Sequence, residues 1–203
     1  TVSIAKTFTV NNASLIGENA GKIIAQNLEL IATQDVGSNS DRLKLAVDNI
    51  YLKSTKGNVY INEQDSLTIK EFSTSTTTLF DLLIGGDLLS STSINYAGQF
   101  NANSQYGNIL LNNANAFTGN LNLKAVGDIS IKNSTAINLD EVRAQNLSVE
   151  ADGTVTGIGS IIVNGLTSIS SGANVTFMHA DNDLNSLTII KANNVSLKDK
   201  NSL

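Results

Sequence analysis

GNILLNNANAFTGNLNLKAVGDISIKNSTAINLDEVRAQNLSV, residues 107–149, carries one phrase four times over. Gly107-Asn108 precedes Ile109-Leu110-Leu111, and Gly119-Asn120 precedes Leu121-Asn122-Leu123. Gly127-Asp128 precedes Ile129-Ser130-Ile131, and Gln145-Asn146 precedes Leu147-Ser148-Val149. Apolar–polar–apolar alternation is the pattern of a half-buried β-strand, and the small polar pair ahead of it is a turn signal. Gly, Asn and Asp accept positive φ more readily than other residues, so such pairs are expected to turn the backbone at low cost. Strands this short and evenly spaced read as units of a repeat.

Outward from this stretch the phrase persists. It recurs in Leu43-Lys44-Leu45, Asn49-Ile50-Tyr51-Leu52, Gly57-Asn58-Val59-Tyr60-Ile61 and Ser66-Leu67-Thr68-Ile69. It weakens over 1–42, where Val2, Ile4, Phe8 and Val10 alternate and NNAS and GENAG read as turns. It weakens again over 70–106, where Ser73–Thr78 reads as a loop or polar strand before Gly85-Gly86-Asp87-Leu88-Leu89 restarts the pattern. A longer period is also visible. GNVYINEQDSLTI (57–69), GDISIKNSTAINL (127–139) and NNVSLKDKNSL (193–203) share one layout, in which Val59, Ile129 and Val195 take the same place.

The geometry this predicts is an all-β solenoid with about 20 residues per coil, its coils stacked in parallel register at ~4.8 Å. The whole of 1–203 forms one segment, with less regular coils or loops at 1–42 and 70–106. Ile109, Leu111, Leu121, Leu123, Ile129, Ile131, Ile137, Leu139, Leu147 and Val149 point inward, followed by Val175, Phe177, Leu187, Ile189, Val195 and Leu197. Ser130, Asn138, Ser148, Thr176, Thr188 and Ser196 face water. Asparagines at equivalent turns are placed to form amide ladders. A β-sandwich or antiparallel barrel also yields many short strands, but its strands need not resemble one another.

Composition agrees. Hydrophobic residues make up 41% of the 203, aromatics only 5%, and Trp is absent, which suits a narrow core of medium aliphatic side chains. Asn occurs 27 times and Pro never; a backbone whose N–H groups serve in ladders has reason to exclude proline. A net charge of −5 with no basic run argues against nucleic acid as a partner. No apolar stretch has the length of a membrane helix, so insertion in a membrane by this segment is not expected. Without cysteine, neither disulfides nor thiolate metal sites exist.

Candidate chemistry is sparse. His179 is the sole histidine and sits in turn-like MHADND, the setting of a solvated loop residue. Asp181-Asn182-Asp183 offers oxygen ligands for Ca²⁺, but a polar turn explains it as well. Some parallel β-helices act on polysaccharides through carboxylates with a nearby cation. Asp140, Glu141 and Arg143 are the nearest approach to that here, Arg42 being the only other arginine. A solvated charge cluster is the simpler reading. The bunched threonines of 74–78 do not recur at the coil period, so a flat threonine array for ice binding is not supported. The N-x-S/T triplets at Asn12, Asn133, Asn146, Asn174 and Asn194 arise from the strand-start phrase, and glycosylation is not needed to explain them. No catalytic, cofactor-binding or metal-binding residue is assigned, and no cofactor is expected.

The phrases GNILLNNANAFTGNLNLKAVGDISI, AQNLSVEADGTVT, GLTSISSGANVTF and ADNDLNSLTIIKANNVSLKD resemble the repeat region of filamentous haemagglutinin-like proteins. These are large bacterial exoproteins of the two-partner secretion and related adhesin type. The resemblance covers about 107–203 well, 43–69 in part and the rest faintly. It implies a right-handed parallel β-helix, export across a Gram-negative outer membrane with a secretion partner, and a surface fibre serving adhesion. Its partners would be host-cell or neighbouring-cell surfaces, glycans included. No counterpart of that family's secretion domain, signal peptide or anchor is present, so the chain reads as a segment of a longer polypeptide. The function expected is a structural, non-enzymatic stalk or passenger segment; the alternative is a polysaccharide lyase or hydrolase.

Overall fold

A computed structural model describes residues 2–12, 21–54, 57–73 and 79–201, with side chains omitted over 2–12 and at Ser54. Of the expected turn NNAS, Asn11 and Asn12 belong instead to the strand Val2–Asn12; the rest of it, GENAG up to residue 20 and the threonine run 74–78 lie outside the described residues. The described chain is all-β, with no helix, and its strands wind as a β-solenoid. Every strand pairing among the described residues is parallel, each strand lying beside its counterpart one coil away. Parallel stacking throughout excludes the sandwich and barrel alternatives, whose neighbouring strands run antiparallel.

Each coil has three sides. On the first, Leu67, Leu88, Ile109, Ile129, Leu147, Thr167 and Leu187 lie in register. On the second, Phe117 lies beside Tyr96, and Ile137, Val155, Val175 and Val195 form one column. On the third, Val59, Phe80, Phe100 and Leu121 are aligned, and further along Val142 lies beside Ile161. The chain visits the sides in that order and returns to the first after the coil length expected from the sequence. The step from Ile129 to Leu147 is slightly shorter than that from Leu147 to Thr167; the corners absorb the difference. The long period is therefore not a stack of equivalent positions: Val59 lies on the third side, Ile129 on the first and Val195 on the second.

The alternation converts directly into burial. In Ile129–Asn133 every second residue is buried, and the same holds in Val59–Glu63 and Leu147–Ala151. The core is one continuous cluster of inward side chains shared between adjacent coils, and burial of that apolar surface is the main stabilising contribution. None of the expected water-facing alternates is buried.

Three expectations need correction. First, Gly107, Gly119 and Gly127 are not at positive φ, which glycines adopt only at Gly37 (66°) and Gly57 (89°) among the described residues. The three are glycine because of the coil beneath. A Cβ at Gly119 would sit 2.1 Å from the Gly98 carbonyl oxygen, and one at Gly127 would sit 2.3 Å from Asn108 Oδ1. Second, the core is not uniformly aliphatic. Phe72, Phe80, Tyr96, Phe100 and Phe117 pack together, with ring centroids 5.1 Å apart for Phe72–Phe80 and 5.2 Å for Phe100–Phe117. This cluster fills the coils within 70–106, where Leu79–Ile84, Leu88–Ser90, Asn95–Tyr96 and Gln99–Ser104 form regular rungs. Third, Val195 is 46% exposed, while Leu187, Ile189 and Leu197 pack against the core as expected but are only half-buried.

The corner leading into the first side carries the expected ladder, with Asp and Ser interleaved among the asparagines. Ser66 Oγ accepts the Asp87 N–H at 2.9 Å, and Asp87 Oδ1 accepts the Asn108 side-chain amide at 2.9 Å. Asn108 Oδ1 accepts the Asp128 N–H, Asp128 Oδ1 accepts the Asn146 amide, and Asn146 Oδ1 accepts the Leu166 N–H, each at 2.8 Å. Asn27–Asn49, at the start of the first side in earlier coils, and Asn174–Asn194, at the corner leading into the second side, make direct amide contacts. Such bonds leave few corner N–H groups unserved between coils.

Candidate interaction surface

Polar side chains on this solenoid act mainly between coils. Lys132 meets Glu150 one coil on at 2.6 Å, and Lys53 lies between Glu29 (3.0 Å) and Glu71 (3.6 Å). Parallel register sets equivalent outward positions ~4.8 Å apart, so opposite charges on neighbouring coils meet without special geometry. Arg42 is the most deeply engaged cation. Its guanidinium donates to Asp81 Oδ1 at 2.8 Å and to the Asp81 carbonyl at 3.2 Å, and it lies 5.8 Å from the centre of the Tyr60 ring. It staples three successive coils.

Asp140, Glu141 and Arg143 share the strand Ile137–Ala144. Glu141 accepts from Lys124 at 2.6 Å and from Arg143 at 3.0 Å. The Lys124 ammonium, followed by Arg143, holds the Glu141 carboxyl below its ordinary range. A carboxylate kept ionised between two cations is poorly suited to donating a proton. His179 lies at the corner between the second and third sides, where its Nδ1 accepts the Asp181 N–H at 3.2 Å and its carbonyl accepts the Asn182 N–H. Asn182, between Asp181 and Asp183, is buried. Its Oδ1 accepts the Ile161 N–H at 2.9 Å and its Nδ2 donates to the Lys198 carbonyl at 3.0 Å. No group of three His, Asp or Glu placed to hold a metal ion occurs among the described residues.

The polar residues that composition did not single out are those at inward positions. Asn133 is buried. Its Oδ1 accepts the Phe117 N–H at 2.8 Å, while its Nδ2 reaches the carbonyls of Phe117 and Ala136. Asn115 serves the preceding corner, accepting the Ile94 N–H at 2.9 Å and donating to the Lys132 carbonyl. A buried amide so engaged is closed to glycosylation in the folded chain, which removes Asn133 from the triplets. Glu63, 1% exposed, accepts the Val47 N–H on Oε2 at 3.1 Å and the Asp65 N–H on Oε1 at 3.2 Å. Burial, only partly offset by these N–H groups, pushes its carboxyl up to about 7. The signal was legible in parity: Val59, Ile61 and Glu63, like Ile129, Ile131 and Asn133, occupy one face of a strand.

A family model of repeats of unknown function (DUF5649) matches residues 56–124 and 126–191. No curated protein and no solved structure matches the chain. The two matches run in tandem with a single residue between them, and each spans more than three coils. Together they cover well over half of the 203 residues, and the chain belongs to the DUF5649 family of repeats of unknown function.

Proposed function

We propose that this chain is a structural, non-enzymatic segment of a large secreted bacterial surface adhesin, a stalk or passenger that supplies reach and a surface for attachment. The observation that carries the reading is where the polar side chains are spent. The corner ladder, the Arg42 staple and the stacked ion pairs all join one coil to the next. A rod stiffened in this way transmits length and load. The phrases in 107–203 that resemble filamentous haemagglutinin-like repeats support export from a Gram-negative bacterium through an outer-membrane secretion partner. They also support display at the surface toward host or neighbouring cells.

The experiment coats beads with the full chain and measures their attachment to animal epithelial cells and to Gram-negative cells. In parallel, the chain is incubated with acidic and neutral polysaccharides, and new reducing ends and unsaturated products are followed. Attachment without turnover is expected. Turnover abolished by Asp140→Asn or Glu141→Gln would replace this reading with that of a polysaccharide-active enzyme.

A further inference from the structure

Charges stacked on neighbouring coils elsewhere are opposite in sign, or share a counter-ion as Lys124 and Arg143 share Glu141. Among the described residues one pair breaks that rule. Ile23 lies beside Leu45, which places Lys22 beside Lys44 on adjacent coils of the third side. Like charges directly opposite each other in a sheet are unfavourable. No carboxylate of the described residues lies within 4 Å of either ammonium, and Lys22 Nζ donates instead to Gln64 Oε1.

Both lysines line an open depression of about 310 Å³, within the size range of small-ligand sites. Its concavity has a local cause. Gln64, Gly85 and Gln105 follow Glu63, Ile84 and Ser104, which lie in register on three successive coils. The middle of that column has no side chain, and none fits: a Cβ at Gly85 would sit 1.8 Å from the Gln64 carbonyl oxygen. The result is a notch with an amide on either side. Tyr106, 84% exposed, lines the same depression with an aromatic ring. Glu63 also borders it, but both carboxyl oxygens are turned to the backbone N–H groups of Val47 and Asp65.

We propose that this notch binds a carboxylated sugar. The ammonium groups of Lys22, which Gln64 Oε1 holds, and of Lys44 take the carboxylate, the Gln64 and Gln105 amides take ring hydroxyls, and Tyr106 offers its face to the pyranose. An isolated anion would leave the amides and the ring unused, and a neutral sugar would leave the two like charges without a counter-ion. The inference deepens the attachment reading and takes its biological setting from it, while the titration below tests the site by itself.

The test titrates the full chain with methyl β-glucuronide and with a methyl sialoside, the two sources of such a group. Methyl β-glucoside and acetate serve as controls, and backbone amide shifts are followed. The expected result is saturable binding of at least one acid sugar, with shifts at the Gln64 and Gln105 amides. Both controls should bind at least tenfold more weakly. Lys44→Gln and Tyr106→Ala should each weaken binding at least tenfold with no fall in melting temperature, and Lys198→Gln should leave binding unaltered. No saturable shift with either acid sugar overturns the site, as does equal binding of the glucoside or wild-type binding by Lys44→Gln. Beads carrying the Lys22→Gln/Lys44→Gln chain separate the two readings. Undiminished attachment by these beads leaves the adhesin reading standing and shows that the notch does not mediate it. Sugar binding by a chain that attaches to no cell defeats the adhesin reading and keeps the site.

Discussion

Replacing Glu63 by Gln should change how stability depends on pH more than it changes stability itself. The Glu63 carboxyl is pushed from 4.5 up to about 7 because burial disfavours its charged form. Each pH unit between the two values is worth about 1.4 kcal/mol, so the gap amounts to about 3 kcal/mol. The sign follows from which state ionises first. Below about pH 4.5 the carboxyl is protonated in both folded and unfolded chains, and the fold bears no penalty. Between there and about pH 7 only the unfolded chain ionises, and stability falls. Above about pH 7 the loss is complete. Wild-type stability should thus drop by about 3 kcal/mol relative to Glu63→Gln as pH rises from about 4.5 to about 8. The glutamine has one acceptor oxygen for the two N–H groups of Val47 and Asp65. A constant offset of about 1–3 kcal/mol between the proteins is therefore expected on top of the pH-dependent difference. Urea unfolding of both proteins at several pH values measures the difference, and other titrating groups cancel in the comparison. A wild-type-minus-variant difference independent of pH, or a Glu63 carboxyl titrating below about 5 by ¹³C NMR, would refute the reasoning.

Ile129→Asp places an unpaired charge at a position 1% exposed and should destabilise by about 3–5 kcal/mol in urea unfolding. Ser130→Asp on the opposite face should cost under about 1 kcal/mol. Asn133→Leu strands the Phe117 N–H and the carbonyls it serves. It should cost about 3 kcal/mol, with faster amide exchange at Phe117, whereas Asn138→Leu should be close to neutral. Gly85→Ala forces a Cβ against the Gln64 carbonyl and should destabilise by about 1–3 kcal/mol by the same assay.

Most of the architecture was readable because period-two alternation fixes which residues face inward, and repeated short strands call for stacking. The sides on which particular strands fall were not readable. Val59, Ile129 and Val195 open near-identical phrases, yet they sit on three different sides, since local strand and turn chemistry is the same at each corner. The regular coils between 79 and 104 were obscured by Phe80, Tyr96 and Phe100 and by the small Ala102 and Ser104, which replace the Ile-x-Leu signature. Glu63 and Asn133 were visible as breaks in parity, but their roles depend on N–H groups brought close only when the coil closes. Lys22 and Lys44 are distant in sequence, and their adjacency follows from register alone.

Because the recurring phrase advances by one side with each long repeat, whatever it displays outward is turned through about a third of a revolution from one copy to the next. A filament assembled from many such repeats would spread its displayed residues around its whole girth. It would offer a neighbour the same contacts from any direction of approach.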